Sequence, residues 1–112
     1  MDFLLLTTTG RRSGKRHTVP LLYLRDGSNL AVIASFGGKP QHPDWFHNLV
    51  RDPNVSVQVE GESFAATARE ADGAERARLW PRALEVWPDY AEYQKRTDRV
   101  IRIVILERTP PP

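Results

Sequence analysis

Cysteine is absent from this chain of 112 residues. Disulfide bonds, thiolate nucleophiles and cysteine-ligated metal sites are therefore excluded. Long apolar runs are absent too: the longest has five residues, 30–34, whereas a membrane-spanning helix needs about 20. No signal peptide is expected, because Asp2 follows Met1 and Phe3 already opens a strand-like run. These features favour a cytoplasmic protein.

Positive charge is present but unevenly distributed. The net charge is only +2, yet residues 1–51 carry seven Lys and Arg against three Asp and Glu. Arg11, Arg12, Lys15 and Arg16 lie within one stretch of six residues. Such a dense cluster suggests an anionic partner: a nucleotide, a phosphorylated cofactor, a nucleic acid or a lipid headgroup.

Hydrophobic alternation and β-branched residues predict six strands. We expect them at residues 3–9, 17–24, 30–35, 55–59, 63–69 and 100–106. Their short connections make them mostly antiparallel, and closure into a small barrel would hide the edges of the sheet.

Helical signals fall between the third and fourth strands and between the fifth and sixth. Asp44 is placed to N-cap a short helix over residues 45–51. Asp72 and Glu75 form a capping-box pair that begins a second helix. Pro81 is expected to interrupt that helix or to open another one.

The expected architecture is therefore one α+β, mainly β domain over residues 1–112. It is a six-stranded, mostly antiparallel β-barrel with helices inserted at those two places, and residues 108–112 form a tail.

Residues 10–17, here called the basic turn, are the first candidate for chemistry. Gly10 and Gly14 let backbone amides turn toward an anion, and the arginines add fork-shaped donors. The glycine spacing is one residue short for a phosphate-binding P-loop, and a strand follows instead of a helix. The alternative interpretation is a solvated hairpin turn.

Three further segments are weaker candidates. Residues 34–38 place a serine at the rim of the barrel before two glycines, which suits the approach of a flat ligand but is also an ordinary strand exit. Residues 42–48 hold two histidines without a recognised metal-ligand spacing, so no metal is expected. Trp87, Tyr90 and Tyr93 recur at spacings of three, which predicts one face of a short helix that either packs in the core or walls a pocket.

Taken in order, these segments resemble the deazaflavin-dependent nitroreductase family of actinobacteria. These proteins are split-barrel oxidoreductases that use coenzyme F-420 and are related to FMN-binding split barrels. The resemblance covers about residues 5–107 and rests on LLTTTGRRSG (5–14), PLLYLRDG (20–27), the Ala34-Ser35 and Gly37-Gly38 pairs, PDWFHNL (43–49), NVSVQV (54–59), Trp80-Pro81, PDYAEYQ (88–94) and TDR (97–99).

The resemblance implies a binding site for a deazaflavin ring carrying a phosphodiester and an acidic glutamyl tail. Arg11, Arg12 and Ser13 would hold the phosphate and tail, with His17 beside them. The residues that flank the ring would be Pro20, Leu21, Leu22, Ile33, Ala34, Ser35 and Phe36. The contacts from helices would be Trp45, Asn48 and, closing over the ring, Tyr90.

The resemblance also implies a reaction. Reduced coenzyme F-420 would donate a hydride to a quinone or a nitro-aromatic acceptor. Ser35 would orient or protonate the acceptor, and Trp87 and Tyr93 would shape the substrate side. His17 stands where relatives often have arginine, and Trp87 replaces a tyrosine.

The resemblance also bears on assembly and location. Related barrels often dimerise, so a homodimer is one possible assembly. Relatives usually carry a helical N-terminal extension, which we expect to be absent from this chain. Peripheral association with the inner face of the cell membrane would depend on that extension.

Two alternatives stay open. One is an FMN-dependent enzyme on the same barrel, although FMN lacks the glutamyl tail and gives less reason for four clustered cations. The other is a non-catalytic barrel that binds single-stranded nucleic acid. Such barrels place exposed aromatic residues on strands, whereas here they fall in the helical insertion, so no nucleic-acid partner is expected.

Overall fold

The protein is described by a computed structural model over residues 3–110. Six strands form a closed barrel: β1 (Phe3–Thr9), β2 (Arg16–Asp26), β3 (Asn29–Ile33), β4 (Asn54–Val59), β5 (Glu62–Glu70) and β6 (Ile103–Arg108). Their order around the barrel is β1-β2-β3-β6-β5-β4, and each neighbouring pair is antiparallel. The predicted fold class is confirmed.

The helices lie at the two predicted insertion points. Helix α1 (Asp44–Arg51) follows β3, while α2 (Gly73–Val86) and α3 (Asp89–Lys95) connect β5 to β6. Within residues 3–110, no helix has the length and apolarity needed to cross a membrane.

The last strand differs from its prediction at both ends. It begins at Ile103 because the Ile101 N–H donates to the Gln94 side chain on α3 at 2.9 Å instead of joining the ladder. It continues to Arg108, and the Thr109 N–H still donates to the Ala65 carbonyl at 2.9 Å. The tail predicted from 108 therefore starts later, and its residues 111 and 112 lie outside the described range.

Two helix-start predictions have opposite outcomes. The capping box is confirmed, since the Glu75 N–H donates to Asp72 Oδ1 at 2.8 Å and the Asp72 N–H donates to Glu75 Oε1 at 2.9 Å. The N-cap role of Asp44 is wrong: Pro43 occupies the cap position, and the Asp44 carboxylate accepts a hydrogen bond from Arg11.

Pro81 does not interrupt α2, contrary to prediction. The helix runs through it, with Leu79 and Ala83 buried on either side. Proline removes only the bond to the carbonyl of Ala77, an exposed residue where water can replace the lost donor. Burial of the neighbouring apolar side chains thus outweighs the tendency of proline to interrupt a helix.

The core has two layers because strand side chains alternate between faces. On β6, Val104 and Leu106 point into the barrel, whereas Ile103 and Ile105 point outward. The outward pair packs beneath α2 and α3 together with Leu79. Burial on both faces accounts for the continuous apolar run of this strand.

We predict an acid-sensitive contribution from Glu75. Two hydrogen bonds from Arg69, at 2.6 and 2.8 Å, and then the Asp72 N–H lower the pKa of Glu75 from 4.5 to about 2. The folded pKa lies below the unfolded one, so this stabilisation is present above about pH 4.5 and is lost as the pH falls toward 2.

Denaturant unfolding at several pH values tests this contribution. Glu75→Gln should lower the free energy of unfolding at pH 7 and flatten its fall between pH 4.5 and 2. Glu62→Gln, which removes an exposed ion pair with Arg108, is the matched control and should have little effect. An unchanged acid limb in Glu75→Gln would contradict the prediction.

Candidate functional site

One end of the barrel holds the basic turn, helix α1 and the residues that follow β3. The strand registers place the β1–β2 turn, the exit of β3 and the starts of β4 and β6 at this end. The opposite end holds the β2–β3 and β4–β5 turns. Helix α1 lies between the exit of β3 and the start of β4 at the same end.

The basic turn folds tightly on itself. The Gly10 N–H donates to the Lys15 carbonyl at 2.7 Å, and Gly14 adopts a φ of 72°, which glycine tolerates best. A Cβ at Gly10 would lie 2.7 Å from Ser13 Oγ and 2.9 Å from His17 Nε2. The Ser13 hydroxyl and the His17 imidazole thus close over the Gly10 backbone, and a larger residue there would push these two side chains aside.

A buried amide fixes this turn to α1. Asn48 Oδ1 accepts from the Arg11 N–H at 3.2 Å and from Arg11 Nη1 at 2.9 Å. Asn48 Nδ2 donates to Thr8 Oγ1 at 3.2 Å. Asn48 is 4% exposed and Thr8 is fully buried, so the amide exchanges water for three hydrogen bonds to two residues.

The four clustered cations have different surroundings. Arg11 pairs with the exposed Asp44 carboxylate at 3.2 Å. Arg16 donates to the hydroxyls of Thr9 and Ser56, both at 2.8 Å. Within residues 3–110, the side chains of Arg12 and Lys15 have no hydrogen-bond partner. Arg12 thus keeps its charge available to a ligand.

A cavity of about 390 Å³, the turn–helix groove, lies between the basic turn and α1. Six predicted cofactor residues line it: Arg11, Arg12, Ser13, His17, Trp45 and Asn48. A neighbouring hollow shares Arg11, Arg12 and Ser13 and continues toward Arg51. The structure therefore brings the polar half of the predicted site together.

The residues predicted to flank the ring are not gathered in this groove. Leu22, Ile33 and Tyr90 surround a much smaller hollow beneath α2 and α3. Tyr90 is only 6% exposed, and burial raises its pKa to about 12, so the phenol keeps its proton at neutral pH. The others divide between faces: Leu21 and Ala34 pack in the barrel interior, and Pro20 is exposed.

Residues 34–39, here called the Ser35 loop, leave β3 at the same end of the barrel. A 3-10 turn covers Phe36–Gly38, and Phe36 is exposed with a φ of 47°. Gly38 is buried, and a Cβ there would lie 2.5 Å from the Tyr93 carbonyl. The backbone of the loop thus packs directly on α3.

Trp87 does not share a helix with Tyr90 and Tyr93, so that prediction is wrong. Trp87 is the C-cap of α2, with an extended φ of −142°, because the following Pro88 disfavours the helical conformation. Its indole Nε1 nevertheless lies 3.4 Å from the Tyr93 hydroxyl, to which it donates. The two predicted substrate-side residues are in contact across the helix junction.

Two residues that line the groove, Thr8 and Asp44, were not identified as site residues from the sequence. Thr8 follows Leu4 and Leu6 on the inward face of β1, so strand alternation could have identified it. Asp44 offered an acidic signal, but its partner Arg11 is 33 residues away, which no local pattern reveals.

Comparison with known proteins identifies the family. Residues 1–108 match the F420-H(2)-dependent quinone reductase family. The chain belongs to this family. A Mycobacterium tuberculosis protein named as an F420-H(2)-dependent quinone reductase is 40% identical over 108 residues, which cover 94% of this chain and 72% of that protein.

Solved structures agree with the family assignment. One described as an F420-H2 dependent reductase (FDR-A) is 45% identical and has a TM-score of 0.85. The match covers 95% of this chain and 94% of that protein chain. Another, described as a domain-swapped dimer, is 45% identical with a TM-score of 0.86, and the match covers 95% of this chain and 80% of that one. The chain is therefore a coenzyme F-420-dependent oxidoreductase with a split β-barrel fold. Its cytoplasmic location stays a prediction.

We predict that Asn48→Ala destabilises the fold. The substitution leaves the buried Thr8 hydroxyl and the Arg11 N–H without their partner, so the free energy of unfolding should fall by about 1–3 kcal/mol. Urea unfolding measures the change. Asn54→Ala, which removes an exposed bond to Asp52, is the control, and an equal loss in both variants would show that the buried amide is not special.

Proposed function

We propose that this chain transfers a hydride from reduced coenzyme F-420 to a quinone, and that the coenzyme's phosphate and acidic tail lie in the turn–helix groove. The observation that carries the proposal is the Arg12 guanidinium, which has no partner within residues 3–110 and lines one cavity with the Ser13 hydroxyl and the His17 imidazole. A nitro-aromatic compound is the other acceptor class that the same chemistry admits.

The donor set fits an anionic ligand. Arg12 offers a fork of N–H donors that suits a phosphate or a carboxylate. Ser13 and His17 approach the Gly10 backbone so closely that a side chain there would collide with both. Trp45 adds an apolar wall opposite these polar groups, as a ligand with both ionic and aromatic parts requires.

The chain's own residues bind and orient, while the coenzyme when bound supplies the hydride. We assign Arg12 and Ser13 to anion binding. The Arg11–Asn48–Thr8 network keeps the basic turn fixed against α1. Residues proposed to lie near the ring are Pro20, Leu21, Leu22, Ile33, Ala34, Phe36 and Tyr90.

Two hydroxyls are suited to the acceptor. Within residues 3–110 the Ser35 hydroxyl makes no hydrogen bond, so its proton is free for an acceptor oxygen. The Tyr93 hydroxyl accepts from Trp87 Nε1, which leaves its own proton available. We propose that these groups donate to the quinone oxygen where negative charge develops, since a quinone takes up a proton with each hydride.

A homodimer is the assembly that we propose. Support comes from the relative described as a domain-swapped dimer at 45% identity. Light scattering after size-exclusion chromatography should give twice the monomer mass of 12.8 kDa. A monomer mass across the micromolar range would contradict it.

We predict that Arg12→Ala weakens coenzyme binding by about tenfold, or 1.4 kcal/mol, through loss of a charge-assisted contact. Titration of the oxidised coenzyme, followed by quenching of tryptophan fluorescence, measures this because Trp45 lines the groove. The Arg11→Ala, Arg12→Ala double variant should bind less still.

Arg108→Ala is the matched control, because Arg108 lies at the opposite end of the barrel and pairs with Glu62. It should leave the Kd unchanged. FMN, titrated in parallel, should bind more weakly to the wild-type chain. Equal affinity for FMN, or an Arg12→Ala variant that binds as tightly as wild type, would refute the proposed site.

A further inference from the structure

Arg99 lies in the segment between α3 and β6 and binds the Ser35 loop. Its Nε donates to the Lys39 carbonyl at 2.8 Å, its Nη1 to Ala34 at 3.1 Å and its Nη2 to Ser35 at 2.7 Å. The three carbonyls belong to one six-residue loop and lie 60 to 65 residues from Arg99 in sequence. One planar guanidinium therefore holds both ends of the loop.

His42 completes the environment of this guanidinium. Its Nδ1 lies 3.2 Å from Arg99 Nη1. Arginine is only a donor, so Nδ1 must be the acceptor and the imidazole must be neutral. Burial first, and then the charge of Arg99, lower the pKa of His42, which favours this neutral form.

The segment that carries Arg99 is itself tied to α3. The Arg99 carbonyl accepts from Gln94 Nε2 at 2.7 Å, and Gln94 Oε1 accepts from the Ile101 N–H at 2.9 Å. Gly38 of the loop packs on the Tyr93 backbone. Arg99 thus connects the element that carries Ser35 with the helix that carries Tyr93.

We propose that Arg99 is a positioning residue for quinone reduction, which fixes the Ser35 hydroxyl relative to the Tyr93 hydroxyl and so orients the acceptor. The catalytic part of this inference rests on the proposed function. Lysine cannot replace arginine here, because a single ammonium nitrogen cannot reach three carbonyls in the plane of the fork. A displacement of about 1 Å in the orienting groups can cost about 100-fold in rate.

The test compares Arg99→Lys with Arg76→Lys. Arg76 is a matched control because its Nη1 also donates to a backbone carbonyl of the segment before β6, that of Ile101, without touching the Ser35 loop. The first readout is amide hydrogen exchange in the protein without coenzyme. The Gly38 and Lys39 amides, bonded to the Ser35 and Phe36 carbonyls, should exchange at least about tenfold faster in Arg99→Lys only.

The second readout separates acceptor positioning from coenzyme binding. In Arg99→Lys, kcat with a soluble quinone should fall by about 10- to 100-fold. This is a larger factor than the rise in coenzyme Kd that loosening Ala34 and Phe36 of the same loop would cause. Arg76→Lys should change neither quantity. Millimolar guanidinium added to Arg99→Ala should restore part of kcat, which a collapsed or generally loosened protein would not allow.

Each contrary result bears on a defined part of the inference. Unchanged exchange at Gly38 and Lys39 in Arg99→Lys would show that Arg99 does not hold the Ser35 loop in place. Faster exchange with an unchanged kcat would overturn the positioning role, and so would parallel losses of kcat and coenzyme affinity in both variants. A wild-type chain that reduces no quinone would refute the proposed function and the catalytic part of this inference. The exchange data would still show whether Arg99 holds the Ser35 loop in place.

Discussion

The side-chain amide of Asn48 is the interaction on which the shape of the site depends. It is buried, so its oxygen and nitrogen must find protein partners, and they find Arg11 and Thr8. Without this amide, the turn between β1 and β2 would keep its own Gly10–Lys15 hydrogen bond but would lose two of the bonds that hold it against α1. With the amide in place, one wall of the groove is α1 and the other is the basic turn, and the Arg12 guanidinium in the groove has no partner among the described residues.

The two ends of the barrel differ in how their charges are used. At the end opposite the site, Arg25 pairs with Glu60 at 2.7 Å, and Glu60 also accepts from the Tyr23 hydroxyl at 2.9 Å. Arg108 is likewise neutralised by Glu62. At the site end, charge and hydroxyl protons remain available, which is the condition for binding an anion and for stabilising a developing negative charge.

Local patterns in the sequence were sufficient for the barrel and for the capping box of α2. Strand alternation and short connections specify antiparallel neighbours, and Asp72 and Glu75 interact within one helical turn. The predictions failed where a distant partner decides the outcome. Asp44 faces Arg11 instead of its own helix, and Arg99 binds carbonyls whose residue type is irrelevant, so no spacing of residues indicates its role. Helix α2 continues through Pro81 because Leu79 and Ala83 are buried on either side, although proline has a low helix propensity.

The order of strands also governs when the site can form. β6 pairs with β3 on one side and with β5 on the other, so it is the strand that closes the barrel. During synthesis, β1 to β5 leave the ribosome with the β3 and β5 edges unpaired until residues 103–108 emerge. Arg99 emerges just before that strand. A chain that stops before residue 103 therefore lacks the strand that joins β3 to β5 and cannot close the barrel. A chain that stops before Arg99 also lacks the hydrogen bonds that Arg99 donates to the Ser35 loop.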